Sequence, residues 1–252
     1  MQWGPGNRRG RWKMTEKLAK AQYRHEYKYL CNAAQSAILK TRAQAILAKD
    51  DHAGPEGAYR IRSLYFDDWE DRCYYENESG IGERDKYRIR IYNGDSTRIT
   101  LEKKSKNRGM TLKESCLIGE ELCRQLMRGE AAVIRADMNK TQKQLLTEMQ
   151  VKSMRPVVIV DYLRYPFVEP NGNVRITFDK DISSSNDIDR FLDSEITVRP
   201  VMEEGWGILE VKWDAFLPDH LKRSMELESL MWSSFSKYYL CRRYNMYGGI
   251  RI

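Results

Sequence analysis

The sequence predicts an α+β fold, a closed eight-stranded antiparallel β-barrel with helices packed outside, and three observations predict it. Tyr87-Arg88-Ile89-Arg90-Ile91-Tyr92 and Thr100-Leu101-Glu102-Lys103-Lys104 alternate strictly between apolar and polar residues, the period-two signature of strands. The polar parity of strand after strand is charged, with nine cations (Arg24, Lys28, Arg88, Arg90, Lys104, Lys113, Arg164, Arg175, Lys212) against Glu26, Glu102, Asp179 and Glu210. Helical apolar stripes separate groups of strands. An open sheet with one wet face tolerates such a pattern, but closing about eight strands removes the exposed edges and turns the charged face into a lined interior.

In chain order, residues 1–20 lack apolar periodicity and read as a disordered basic tail; Met14 is an alternative start. Residues 21–252 read as a single domain. Residues 24–30 form a first strand with Arg24, Glu26 and Lys28 on one face, and Asn32 caps a helix running to about Lys49. Gly54, Pro55 and Gly57 break the chain before a strand over 59–67, where Arg60 and Arg62 share parity with Leu64 and Phe66 and are left out of the charged face. A short helix over 69–78 leads into the two central strands, and a turn at Arg108-Gly109 returns a strand over 110–118 carrying Lys113. Residues 119–152 give two helices whose Leu122, Leu126, Val133, Leu145, Leu146 and Met149 are core. Strands resume over 155–166, where Tyr162 and Arg164 follow Val158 and Val160 on one parity. Asn171-Gly172 is a hairpin turn into a strand over 174–179 carrying Arg175, and a strand over 206–213 sets Glu210 and Lys212 on one face. From Pro218 onward the chain reads as largely helical.

Composition narrows the function. A hydrophobic fraction of 41% supports a real core, and 31% charged residues exceeds what a plain surface needs. The net charge of +7 is concentrated in the tail, which holds +5, so overall basicity is no argument for nucleic acid. Base stacking needs aromatics on the charged face, where only Tyr162 qualifies, and no nucleic-acid partner is expected. Five scattered cysteines without a CxxC pair suit reduced thiols, and three isolated histidines make no metal cluster. With no apolar run of transmembrane length and no apolar segment after the basic N-terminus, a cytoplasmic protein is expected.

Inside a barrel, neighbouring cations about 4 Å apart repel by about 4 kcal/mol at an effective dielectric near 20, so an empty interior is expected to be strained and Arg88→Ala or Arg90→Ala to leave stability unchanged or raised. Arginine forks match phosphate oxygens, and carboxylates such as Glu26, Glu102 and Glu210, two positions from cations, can hold Mn²⁺ or Mg²⁺. A phosphate chain with a hard divalent metal is the substrate class this chemistry suits.

Nine motifs then occur in the order of a known family: Arg24-x-Glu26-x-Lys28, Ser63-Leu64-Tyr65-Phe66-Asp67, Tyr87-Arg88-Ile89-Arg90, Leu101-Glu102-Lys103-Lys104, Leu112-Lys113-Glu114, Tyr162-x-Arg164, Val174-Arg175-Ile176, Ile208-Leu209-Glu210-Val211-Lys212 and Phe235-Ser236-Lys237. Over roughly residues 21–245 the chain resembles the VTC domain, the polyphosphate polymerase branch of the triphosphate tunnel metalloenzyme (CYTH-like) superfamily. The resemblance implies a tunnel in which Lys28, Arg88, Arg90, Lys104, Lys113, Arg164, Arg175 and Lys237 hold phosphates, with Lys212 and Tyr162 alongside, and Glu210 binds the metal. Arg24 stands where the superfamily's ExExK signature has its first glutamate, which favours the polymerase branch. The implied activity is metal-dependent transfer of the terminal phosphate of ATP to polyphosphate. The alternatives are hydrolysis of tripolyphosphate or a nucleoside triphosphate, and non-catalytic polyphosphate binding.

Overall fold

The structure, a computed structural model, describes residues 23–247, so the expectation for the basic tail lies outside the described residues. Alternating sequences form the strands β1 (His25–Cys31), β3 (Tyr59–Asp67), β4 (Arg84–Tyr92), β5 (Asp95–Asn107), β6 (Met110–Ile118), β7 (Arg155–Glu169), β8 (Val174–Ser185) and β10 (Gly207–Trp213). They build one antiparallel sheet in the order β1-β10-β8-β7-β3-β4-β5-β6, with two-residue strands β2 (Ala48–Lys49) on β7 and β9 (Arg199–Pro200) on β8. The β7–β8 connection is the expected Asn171-Gly172 turn. Gly172 has φ +75°, and a Cβ there would sit 2.5 Å from the Phe216 carbonyl, so glycine is required on both counts.

The expected closed barrel is corrected to a curled, open one. The edge strands meet at a single residue pair, Arg24 with Thr111, through two hydrogen bonds of 2.9 and 3.0 Å. Thr111 is the second residue of β6, so antiparallel β1 passes the β5–β6 hairpin tip within two residues and has no further β6 to pair with. The seam beyond is taken by an extended segment that the sequence reading placed in a helical region. There Ser233 N–H donates to the Lys28 carbonyl at 2.9 Å, and Trp232 faces Tyr29.

Helices cover the outside as expected. α1 (Ala33–Ile46) starts at an Asn32/Gln35 capping box and buries Leu39 and Ala43 against Tyr29, Leu209 and Val211. α3 (Glu120–Met127) and α4 (Lys140–Lys152) bury Leu126, Leu145, Leu146 and Met149 against Ile89, Ile91 and Leu101. These alternate residues of β4 and β5 thus face outward, leaving Arg88, Arg90 and Lys104 on the inner face. Arg62, whose orientation the sequence leaves ambiguous, is also on the outer side, ion-paired at 3.3 Å to Asp161 and donating to the carbonyls of Phe191, Asp193 and Ser194, so it ties down a loop.

Two helices differ. α2 (Arg72–Glu78) begins beside buried Asp67, whose carboxylate accepts from the backbone N–H of Cys73 and Tyr74 and from the Tyr238 hydroxyl. α6 (Lys237–Tyr247), after the short α5 (Asp219–Ser224), turns into the barrel. Its Tyr238, Leu240 and Cys241 pack with Tyr65, Val158, Val160, Ile182 and Ile208. The interior is therefore divided into a dry part filled by α6 and a charged cavity.

Candidate active site

The cavity measures about 470 Å³ and is lined by thirteen Lys and Arg side chains against three carboxylates, Glu26, Glu210 and Asp214. Except for β8, which contributes Arg175 alone, the lining strands contribute at i, i+2 spacing, as in Glu26 and Lys28 on β1, Arg88 and Arg90 on β4, and Glu210 and Lys212 on β10. Of the sequence-predicted residues, Lys28, Arg88, Arg90, Lys104, Lys113, Tyr162, Arg164, Arg175, Lys212, Lys237, Glu26 and Glu210 all line it. Glu102 does not.

Glu102 lies behind the wall, 1% exposed. Arg88 Nε and Nη2 donate to its Oε2 at 2.7 and 2.6 Å, with Lys113 at 3.2 Å and Arg90 at 3.8 Å. Burial pushes this carboxyl up, but Arg88, Arg90 and Lys113 outweigh it and hold it well below the usual carboxylate range. Both oxygens are already occupied, Oε2 by Arg88 and Oε1 by Lys113, and the residue does not line the cavity, which favours a structural place over the expected one as a metal ligand.

Asp179 repeats the arrangement. It is fully buried, takes two parallel 2.7 Å hydrogen bonds from Arg164 Nε and Nη2, and accepts Lys237 at 2.6 Å. Burial raises its pKa, and Arg164 and Lys237 lower it to a net depression. Arg175 is held by Asp50 and by the Tyr59 hydroxyl, each at 2.8 Å, and Arg88 by the Tyr65 hydroxyl at 2.8 Å. Arg90 donates to Ser63 Oγ at 3.2 Å and the Tyr162 hydroxyl at 3.4 Å. The expected strain of an all-cation interior is relieved at Arg88, Arg164 and Arg175, each of which has a carboxylate partner, whereas Arg90 is held by hydroxyls and still feels the charge of Arg88.

Asp214 is paired with Arg24 at 2.6 Å, and Glu26 and Glu210 are the carboxylates that stand among the cavity lysines. Glu26 is contacted by Lys28 at 2.8 Å and Lys104 at 2.8 and 2.9 Å, and Glu210 by Lys212, with Lys28 and Arg164 at 3.9 Å. They stand on paired strands, diagonal to one another in the Lys28–Glu210 and Glu26–Lys212 register. Burial raises both pKa values, yet the surrounding lysines, with Arg164 beside Glu210, keep both carboxyls ionised, well below the usual range. Among the described residues no group of three His, Cys, Asp or Glu side chains converges. Two carboxylates that line the cavity are oxygen donors of the kind Mg²⁺ or Mn²⁺ takes, and a cation bound there would displace the lysines that now contact them, Lys212 on Glu210 and Lys28 and Lys104 on Glu26.

Sequence reasoning missed three cations of the cavity. Arg84 and Lys86 continue the Arg88/Arg90 parity at the start of β4, and Lys106 continues that of Lys104. Extending each alternating run by two residues would have found them. The tyrosines Tyr59, Tyr65 and Tyr92 also line the cavity, beside the expected Tyr162.

A curled antiparallel barrel with a cation-lined interior is the triphosphate tunnel architecture. The chain belongs to the VTC domain family, which matches residues 23–244. The fold is similar to that of a proposed adenylyl cyclase from Hippeastrum described as having a dominant triphosphatase activity, at 12% identity, TM-score 0.53, covering 88% of this chain and 95% of that one. A proposed adenylate cyclase from Bacillus halodurans is similar at 12% identity and TM-score 0.47, covering 83% and 89%. The PH1819 protein from Pyrococcus horikoshii OT3 is similar at 13% identity and TM-score 0.45, covering 86% and 97%. No curated protein matches the sequence. No helix among the described residues is long and apolar enough to cross a membrane.

Proposed function

We propose that this chain is a divalent-metal-dependent, cytoplasmic polyphosphate polymerase that transfers the terminal phosphate of ATP to a polyphosphate chain. The observation that carries this reading is the cavity itself, in which cations from seven strands and α6 surround the ionised Glu26–Glu210 pair. Mn²⁺ or Mg²⁺ bound by Glu210, with Glu26, supplies neutralisation of charge on the phosphate oxygens. The residues of this chain do the rest. Arg88, Arg90, Arg164 and Arg175 offer donors fixed from behind by carboxylates and tyrosines, while Lys28, Lys104, Lys113, Lys212 and Lys237 supply compact charge. Donor and acceptor phosphates are thereby aligned, and charge spreading over the transferring group is stabilised by positioning and electrostatics without a protein nucleophile. VTC membership supports the polymerase. The second reading is hydrolysis, with water in place of the phosphate acceptor, and it has the fold shared with the Hippeastrum triphosphatase in its favour. Incubation with ATP and Mn²⁺ discriminates the two: long polyphosphate is expected, free phosphate alone transfers the case to hydrolysis, and no turnover with any divalent metal leaves a binding barrel.

A further inference from the structure

The inner face of β6 is open where that of its neighbour β5 is covered. Lys113, Ser115 and Leu117 are all exposed, Leu117 by 48%, although Glu102, directly opposite Ser115 on β5, is buried. The cause is the edge. Among the described residues β6 pairs with β5 on one side, and on the other with Arg24 alone, through a reciprocal pair of backbone hydrogen bonds to Thr111. Hydrogen-bonded and non-hydrogen-bonded pairs alternate along an antiparallel ladder, so beyond Thr111 the N–H and C=O groups of Lys113, Ser115 and Leu117 point into the open seam.

We propose that residues 17–23 continue β1 along this edge and complete the barrel wall beside Lys113. The direction is already set, because Arg24 immediately precedes β1 and an antiparallel pairing carries the residues before it past β6 beyond Thr111. The Arg24–Thr111 pair also fixes the register. Gln22, Lys20 and Leu18 become the hydrogen-bonded partners of Lys113, Ser115 and Leu117, and Ala19 falls opposite Cys116. Tyr23, the first described residue, already fits this register, in which it stands opposite Leu112. It lines an outer groove with Asp85, Tyr87 and Ser105, and Asp85, Ser105 and Leu112 are successive partners across β4, β5 and β6.

The side chains suit the faces that this register gives them. Leu18, Lys20 and Gln22 share the parity of Arg24, Glu26 and Lys28 and take the inner face, where Leu18 covers the exposed Leu117. Ala19 and Ala21 take the outer face, and Ala19 is small enough to lie against Cys116, which packs on the core beneath α3 and α4. Alanine, lysine and glutamine carry little strand preference of their own, so the pairing is driven by the backbone groups that β6 offers. A strand from a second copy meets the same edge only at its bulk concentration, whereas a segment joined to Arg24 has an effective concentration of about millimolar.

The test is a disulfide in the whole chain. Opposed residues of a non-hydrogen-bonded pair have Cα atoms about 4.5 Å apart, inside the span of about 4.4–6.8 Å that a disulfide bridges. Ala19→Cys is therefore expected to join Cys116 on oxidation with diamide, which takes up the two protons and two electrons that the thiols release. Leu18→Cys, on the other face, and Ala21→Cys, opposite Glu114, are expected to give no bridge. Hydrogen exchange followed by NMR reads the same pairing without cysteine chemistry. The amides of Lys113, Ser115 and Leu117 are expected to be protected in the wild type, and Lys20→Pro, which removes an N–H at a hydrogen-bonded position, to speed their exchange about tenfold or more. Unchanged exchange at Ile89 and Ile91 of β4 serves as the folding control. Equal bridging by all three cysteine variants denies a register and overturns the proposal. Disulfide-linked dimers in place of the internal bridge overturn it in favour of a second copy on the edge, and β6 amides that exchange as fast in the wild type as in Lys20→Pro overturn it outright. None of these readouts involves phosphate, so the result is separate from the phosphate-binding reading of the cavity.

Discussion

Removing Arg88 tests the principle on which the cavity is built. Arg88→Ala takes away two hydrogen bonds, of 2.6 and 2.7 Å, to a carboxylate that is 1% exposed. Breaking a buried pair by deleting one partner costs about 3–5 kcal/mol, because the other charge is stranded. Glu102 keeps Lys113 at 3.2 Å and Arg90 at 3.8 Å, so the cost falls to about 2–4 kcal/mol. For a domain of this size, that lowers the melting temperature by roughly 4–16 °C. The pH dependence follows from the depressed pKa of Glu102. A carboxyl held below its unfolded value contributes stability above the unfolded pKa and loses it as pH falls through the folded one, so the wild type keeps this contribution at neutral pH. In Arg88→Ala burial is opposed by fewer cations, the carboxyl protonates more readily, and the deficit against wild type narrows below about pH 5. Adding Glu102→Gln to Arg88→Ala removes the stranded charge and recovers more than half of the loss. The assay is thermal unfolding by circular dichroism from pH 4 to 8 for wild type and both variants. A melting temperature of Arg88→Ala at pH 7 equal to or above that of wild type would refute this reasoning and reinstate net repulsion among the interior cations.

Glu210→Gln preserves shape and removes one of the carboxylates lining the cavity; turnover with Mn²⁺ is expected to fall by orders of magnitude while metal-free polyphosphate binding holds or tightens, and unchanged turnover would take Glu210 out of the proposed metal site. Tyr65→Phe deletes the hydroxyl that accepts from Arg88 Nη1 at 2.8 Å, and a loss of tripolyphosphate affinity of about fivefold to tenfold is expected with little change in melting temperature, about the worth of one hydrogen bond. Lys86 binds fewer protons folded than unfolded between about pH 7 and its ordinary lysine value, so raising pH from 6.5 to 9 is expected to stabilise the wild type relative to Lys86→Met, read as melting temperatures across that range; parallel trends in the two proteins would contradict this titration.

The fold and most of the cavity were legible because a two-residue period assigns side chains to faces without knowledge of strand order. Arg88 and Ile89 had to lie on opposite faces, and α3 and α4 then settled which face was covered. Closure was not legible, since it depends on where β1 meets the β5–β6 hairpin, a long-range register that no local pattern encodes. The segment before α6 was missed for a related reason. Ser233 is held by the Lys28 backbone, more than two hundred residues away, and nothing in Ser233-Ser234-Phe235-Ser236 by itself calls for a strand-like seam. Parity also cannot report depth: Glu102 and Glu210 look alike in sequence, yet one backs an arginine and the other faces the cavity.

That difference in depth explains how so many cations can line one cavity. At an effective dielectric near 20, two like charges 4 Å apart cost about 4 kcal/mol, while an opposite charge at 2.8 Å returns about 6, so one well-placed carboxylate outweighs a neighbouring cation. Glu102 and Asp179 occupy that position on the far side of the guanidiniums from the cavity. Arg164 spends Nε and Nη2 on Asp179 and keeps Nη1 for a ligand, and its planar fork cannot turn away without breaking both bonds. The buried acids thus neutralise the arginines and aim their remaining donors, so phosphate meets groups already oriented and loses little to ordering them. Glu26 and Glu210 act differently. They lie in front, within reach of phosphate, where an incoming polyanion would be repelled by them. On the metal-dependent reading proposed above, Glu26 and Glu210 would hold a divalent cation whose charge would offset that repulsion.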